Sequence, residues 1–210
     1  MTFFTASRAF ATAGLCVLLG ACSVLPDKPP VSVYQLPSSL PVPSLSHSQE
    51  GVSGDFQATI RVTTPAANPT LSGDRILVSR ARYQVMAYKG VRWQDQVPRM
   101  VRNRLVQALK SSEGWQAVTT ENSTARVSFQ LGSELMQFQV LDNDGQRKVH
   151  VWLDATLIDS RLNRVVGARP FQVESRVEGD DFDAVVVAFG SAADQLGIAV
   201  AKWLAAYAKP

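Results

Sequence analysis

Apolar residues along this chain recur with two periods. Across "KVHVWLDATLID" every second residue is apolar, so Val149, Val151, Leu153, Ala155 and Leu157 line one face of a β-strand. "QATIRVTT" at 57–64, "RILVSRARYQVMAY" at 75–88 and "WQAVTT" at 115–120 carry the β-branched and aromatic residues of further strands. "ARVSFQLGSELMQFQV" alternates in two phases, first Val127, Phe129 and Leu131, then Met136, Phe138 and Val140. The change of phase around Gly132 predicts a β-bulge there. "DNDG" at 142–145 has hairpin-turn chemistry, and "SRLNR" returns a last strand running roughly from Val165 to Val177.

Two stretches have helical period instead. In "QDQVPRMVRNRLVQALKS" the residues Val97, Met100, Val101, Leu105, Ala108 and Leu109 form a stripe, with Arg99, Asn103 and Lys110 opposite. Asp95 is the expected N-cap, and Pro98 falls in the first turn, where no backbone donor is lost. After "EGDD" a longer helix puts Phe182, Val185, Val186, Phe189, Ala193, Leu196, Val200, Trp203, Leu204 and Tyr207 on one face. Its back carries Ala184, Val187, Ala188, Ile198, Ala205 and Ala206, more apolar surface than one sheet requires. Asp183, Asp194, Gln195 and Lys202 argue against a membrane span. The order of strands and helices predicts an α+β fold: a two-layer sandwich, with two helices on one face of a largely antiparallel sheet. Val101, Leu105, Leu153, Leu196 and Trp203 are expected in its core.

The front end reads differently. Arg8 precedes an apolar run from Ala9 to Ala21, long enough for a signal-peptide core and too short for a membrane span. Leu19, Gly20 and Ala21 followed by Cys22 resemble a bacterial lipobox, in which the cysteine is acylated and becomes the mature N-terminus. Cys16 leaves with the signal peptide, residues 1–21, so the mature chain has one lipidated cysteine and no internal disulfide. Ser23 follows Cys22 where an aspartate would resemble an inner-membrane retention signal, so the anchor is expected in the outer membrane, with the domain on its periplasmic face. Residues 22–54 are rich in Pro and Ser and read as a tether, with a short strand in "VSVYQL" at 31–36. Residues 55–210 form the expected domain.

Charge excludes little except nucleic acid. Removing Arg8 lowers the formal balance from +3 to +2, too even for a polyanion-binding surface. His47 and His150 are the two histidines, one in the tether and one mid-strand, so no metal set and no Ser-His-Asp arrangement can be built around them. Asp142 and Asp144 before Gly145 lack the further ligands of a calcium loop. Asp180, Asp181 and Asp183 fit a helix N-terminus. No metal, cofactor or catalytic residue is expected; the covalent lipid on Cys22 is the one attached group. Tyr83, Tyr88 and Trp93 are candidate contacts for a partner or a lipid, against the alternative that they belong to the core.

"VYQL" after the lipobox, "ATIRV", "RILVSR…VMAYKGVRWQDQVPRMV", "LMQF", "VHVWLDATLID" and "AFGSAADQLGIAVAKWL", in that order, resemble the ABC-type transport auxiliary lipoprotein family. These are the lipoprotein partners of MCE (mammalian cell entry type) lipid transport systems, including the paraquat-inducible kind. The resemblance implies a non-catalytic component that meets an MCE protein served by an inner-membrane permease and an ATPase, and supports membrane integrity. A lipid carrier with its own apolar cavity is the alternative, and a hydrolase the third class. Self-association through the back of the last helix is expected as well.

Overall fold

The computed structural model describes residues 30–41, 58–81, 83–143 and 145–208. Cys22 with Leu19, Gly20 and Ala21 lies outside the described residues, as does His47. Residues Val31–Pro210 form one compact unit. In chain order it contains β1 (Ser32–Tyr34), β2 (Ala58–Val62), β3 (Ala66–Ala67), β4 (Arg75–Ala81), β5 (Gln84–Trp93), α1 (Val97–Lys110), β6 (Trp115–Thr120), β7 (Phe129–Asn143), β8 (Gln146–Asp159), β9 (Arg164–Arg176) and α2 (Phe182–Ala208).

The long strand β7 is the spine of a single mixed sheet. Its one edge pairs with β8 over nearly its whole length, antiparallel, and β8 pairs in the same sense with β9. Its other edge is shared by β2, β3 and β4, each parallel to it. β5 returns antiparallel on β4, β1 adds parallel to β5, and β6 adds parallel to β2. The long hairpins make the ladder antiparallel for most of its residue pairs, and the shorter strands are joined in parallel. Strand β1 closes one edge, short and followed by Pro37, and the edge strand β9 contains Pro170; both features hinder edge-to-edge pairing.

Both helices lie on one face, as the periodicity predicts. Val149, Val151, Leu153, Ala155 and Leu157 of β8 are buried beneath them together with Val101 and Leu105 of α1 and Phe189, Leu196, Val200 and Leu204 of α2. Trp93 is a wedge in this layer, 1% exposed and edge-on to Phe189 and Phe138 at ring-centroid distances of 5.2 and 6.3 Å. Trp203 is only half-buried, packed on Phe171 at 5.7 Å over Gly167, where a Cβ would meet the indole at 3.0 Å.

Four local expectations need correction. The run 75–88 is two strands, not one: β4 ends at Ala81 and β5 begins at Gln84, with none of the usual turn residues in the sequence between them. The bulge in β7 falls at Met136, between the pairs Leu135–Leu153 and Gln137–Trp152, while Gly132 pairs regularly with Thr156. The side chain of Met136 is pushed outward, and Leu135 and Phe138 both reach the core. Asp95 does not cap α1: the N-cap is Gln96, and Asp95 accepts the Gln96 N–H at 2.8 Å and pairs with Arg99 at 3.3 Å. Residues 31–41, expected within the tether, belong to the domain. Asp181, by contrast, does cap α2, accepting the Ala184 N–H at 2.8 Å.

Candidate functional site

α2 carries small or short residues at Gly190, Asp194, Gly197 and Ala201, at helical spacing down one stripe. This stripe receives two neighbours. A Cβ on Gly197 would stand 2.8 Å from the Cβ of Ala108, so the bare glycine lets α1 pack closely. A Cβ on Gly190 would stand 2.7 Å from the carbonyl oxygen of Pro37, so a second bare glycine admits the backbone of the segment after β1. Of the apolar back of α2, Ala188 is buried and Ala184 half-buried, whereas Val187, Ile198, Ala205 and Ala206 stay exposed, Val187 at 63% and Ile198 at 40%.

Between the two glycines sits an ion pair. Arg104 of α1 and Asp194 of α2 are 6% and 7% exposed, with Nη1 donating to Oδ1. Burial pushes the Arg104 guanidinium down to about 10, so it remains charged at neutral pH. A buried pair of this kind is costly unless its remaining lone pairs and protons are satisfied, and here the strap at 36–41 satisfies them. Arg104 Nη2 donates to the carbonyls of Pro37 and Leu36 at 2.6 and 3.2 Å. Asp194 Oδ2 accepts from the backbone N–H and the hydroxyl of Ser39, each at 2.7 Å, and Oδ1 accepts from the Ser38 hydroxyl at 3.2 Å. Gln107 of α1 and its C-cap Ser111 extend the seam, donating to the carbonyls of Leu40 and Pro41 at 3.3 and 3.0 Å. Proline and serine, read as tether composition, are the residues that seat this strap: Pro37 offers its carbonyl without an unpaired N–H, and the serines donate.

The sequence-predicted contact residues separate. Trp93 belongs to the core, the alternative already open for it: it is 1% exposed and enclosed by Phe138 and Phe189. Tyr88 is half-buried against Phe182 at 5.1 Å, and burial pushes its phenol up, leaving it neutral. Tyr83 is 91% exposed at the tip of the β4–β5 hairpin. No common site brings the three together. His150 lies on the sheet face opposite the helices, its Nδ1 against Gln137 Oε1, and burial pushes its imidazole down. Among the described residues no group of three His, Cys, Asp or Glu side chains could hold a metal ion.

Arg104 and Asp194 were missed from sequence because they are 90 residues apart, Arg104 being one of several polar residues on α1 and Asp194 one of few on α2. The available signal was the pairing of Asp194 with flanking Gly190 and Gly197 on a single stripe, which marks a crowded face.

At the far end of the sheet, around the β8–β9 turn, an open recess of about 570 Å³ is lined by Arg61, Arg126, Arg161, Gln130, Ile158 and Asn163, among others. Asn163 turns the chain at φ 48°. Asp159, the acid of that turn, accepts the N–H groups of Arg161 and Leu162 at 2.8 and 3.0 Å, and these bonds hold its carboxyl below the usual range.

The family model for the ABC-type transport auxiliary lipoprotein component matches residues 34–201. No curated protein matches the chain. Among solved structures, a protein of Xanthomonas campestris shares 22% identity at a TM-score of 0.71, over 83% of this chain and 95% of that one. A second crystal structure, of an uncharacterized protein, shares 17% identity at a TM-score of 0.63, over 83% and 99%. At these identities the two structures show a shared fold.

Proposed function

This chain belongs to the ABC-type transport auxiliary lipoprotein family, and on that premise we propose that it is the outer-membrane-anchored, non-catalytic member of an MCE-type lipid transport system. Cys22 carries the lipid, and the domain stands on the periplasmic face to dock the MCE protein whose permease and ATPase lie in the inner membrane. Its role is to complete the path between the membranes and so support membrane integrity.

The observation that carries this reading is how the helix layer is filled. A lipid carrier needs a space of acyl size between sheet and helices. Here Phe189, Leu196, Val200 and Leu204 of α2, with Trp93 from β5, occupy it, each 1% exposed or less. What the fold offers instead is a rigid body whose N-terminal entry is fastened to both helices by the strap.

The test is purification of the acylated protein from its native membranes. The expected result is that the MCE protein of the same system comes with it, while mass spectrometry of the isolated domain finds no stoichiometric phospholipid. Bound phospholipid without an MCE protein would overturn the docking reading in favour of the carrier.

A further inference from the structure

β1 and the strap are held to the domain differently from every element after them. No residue from 31 to 41 is buried: Tyr34, Leu36 and Leu40 are half-buried and the others exposed, Val31 and Val33 at 52% each. The buried core is complete without this arm, since its residues run from Ile60 in β2 to Leu204 in α2, and Tyr34 and Leu36 only pack against it. β1 pairs with β5 through Ser32, Val33 and Tyr34 alone, at an edge of the sheet. Tyr34 adds a ring contact with Phe182 at 5.0 Å, and its carbonyl accepts the Gln94 N–H at 2.8 Å. Segments with few buried apolar contacts and hydrogen bonds at an edge are the ones that open while the rest of a domain stays folded.

The strap is held by polar bonds more than by packing. A groove of about 230 Å³ remains between Pro37, Ser38 and Ser39 on one side and Val187, Gly190 and Ser191 on the other. Arg104 and Asp194 belong to α1 and α2, so they stay paired with each other when the strap leaves, and water takes over the donors and acceptors it vacates. Opening therefore hydrates the ion pair without breaking it, which costs far less than stripping one charge from the other. β1 and the strap must move together. Gln35, itself exposed, is the one residue between the Tyr34 carbonyl held by Gln94 and the Leu36 carbonyl held by Arg104. Once the strap is free, β1 has three residues of edge pairing left to hold it.

We infer that residues 31–41 are a latch that opens as one unit over an otherwise folded domain, uncovering the edge of β5 at Val91–Trp93 and the seat of Gly190 and Asp194 on α2. The latch goes beyond the docking function and is independent of it, since it requires neither the lipid nor a partner. The test is native-state hydrogen exchange on the intact protein in rising concentrations of urea. Two neighbouring amides separate arm from body: the Gln94 N–H is bonded to Tyr34, and the Trp93 N–H to the Asp74 carbonyl at 2.7 Å. The amides of Gln94 and Ser39 are expected to exchange through one common opening that depends little on urea, because it exposes little surface. Trp93 and the central amides of β7 and β8 are expected to exchange only with global unfolding. Ser39→Pro removes both donors to Asp194 at an exposed position and should speed exchange at Gln94 about tenfold or more, with Trp93 unchanged. Ser39→Ala, which removes the hydroxyl alone, should act in the same direction and less.

Exchange of Gln94 and Ser39 with the same urea dependence as the β7 amides would overturn the latch, because the arm would then open only with the whole domain. A Ser39→Pro protein that frees the Leu40 N–H, bonded in the closed form to the Ser38 hydroxyl at 3.1 Å, while Gln94 stays protected would overturn it as well, since the strap would then open without β1. The wild-type measurement decides the first point even if the variant folds poorly.

Discussion

Asp194→Ala removes one carboxylate and leaves four groups to answer for it. The Arg104 guanidinium, 6% exposed, keeps only the carbonyls of Pro37 and Leu36, and the Ser38 hydroxyl and both donors of Ser39 lose their acceptor. Leaving a buried charge uncompensated costs about 3 to 5 kcal/mol. For a domain of this size that is a fall of roughly 6 to 20 °C in Tm. Replacing both partners with apolar residues of similar volume, Arg104→Met with Asp194→Leu, removes the desolvation cost together with the attraction and should recover most of the loss. The strap should not recover, since Ser38, Ser39 and the Pro37 carbonyl then face hydrocarbon. Two readouts are required: urea unfolding for the domain and amide hydrogen exchange for residues 36–41. The double variant is expected to be near wild type in the first and unprotected in the second. Single variants costing under about 1 kcal/mol, or a double variant as unstable as the sum of the singles, would refute the assignment of Arg104 and Asp194 as the buried fastening of the strap.

Cys22→Ser should abolish acylation and release the protein from the membrane fraction, checked by intact mass and fractionation. Leu105→Ala, at a fully buried position of α1, should cost about 2 to 5 kcal/mol in urea unfolding, while Arg99→Ala on the exposed side should be nearly silent. Gly190→Val places a side chain where Pro37 now lies and should raise hydrogen exchange at residues 36–41 more than it lowers the unfolding midpoint. His150 is lowered by burial first, against opposing effects of Glu174 and Gln172, so its neutral form is favoured on folding. Its share of stability is complete above about pH 6.5 and is lost as pH falls toward the lowered folded value; His150→Gln should flatten that part of the stability profile.

The elements that were legible in the sequence are those whose reason is local. β8 alternates because its two faces differ, and the burial of Val149 to Leu157 follows that alternation residue by residue. The stripes of α1 and α2 were readable for the same reason. What was not legible depends on partners far along the chain. β2, β3 and β4 follow one another along one edge of β7, parallel to it at residues 129–131, 134–135 and 139–141, and nothing in the three segments names that neighbour. Met136 was assigned to the inner face because alternation was restarted after Gly132, although the flexible residue pairs normally and the extra residue sits four positions later. The β4–β5 turn has no glycine or proline to announce it. The strap was hidden by its composition, since Pro and Ser describe a tether equally well when no buried carboxylate is in view. Of the candidate contacts, Trp93 shows the limit most plainly: an aromatic residue at a strand end fits either core or contact until Phe138 and Phe189 are known to enclose it.

The fastening of the strap also sets an order of events in the making of the protein. Ser39 and Asp194 are 155 residues apart, so a chain emerging from its N-terminus must deliver nearly all of α2 before the strap has anything to hold. Until then residues 36–41 have no carboxylate on α2 to hold them. Closure of so long a loop is late for the same entropic reason that non-local contacts form slowly. A nascent chain interrupted before Asp194 would therefore leave β1 and the segment after it without their fastening, and arrival of the last helix is what locks the start of the domain in place.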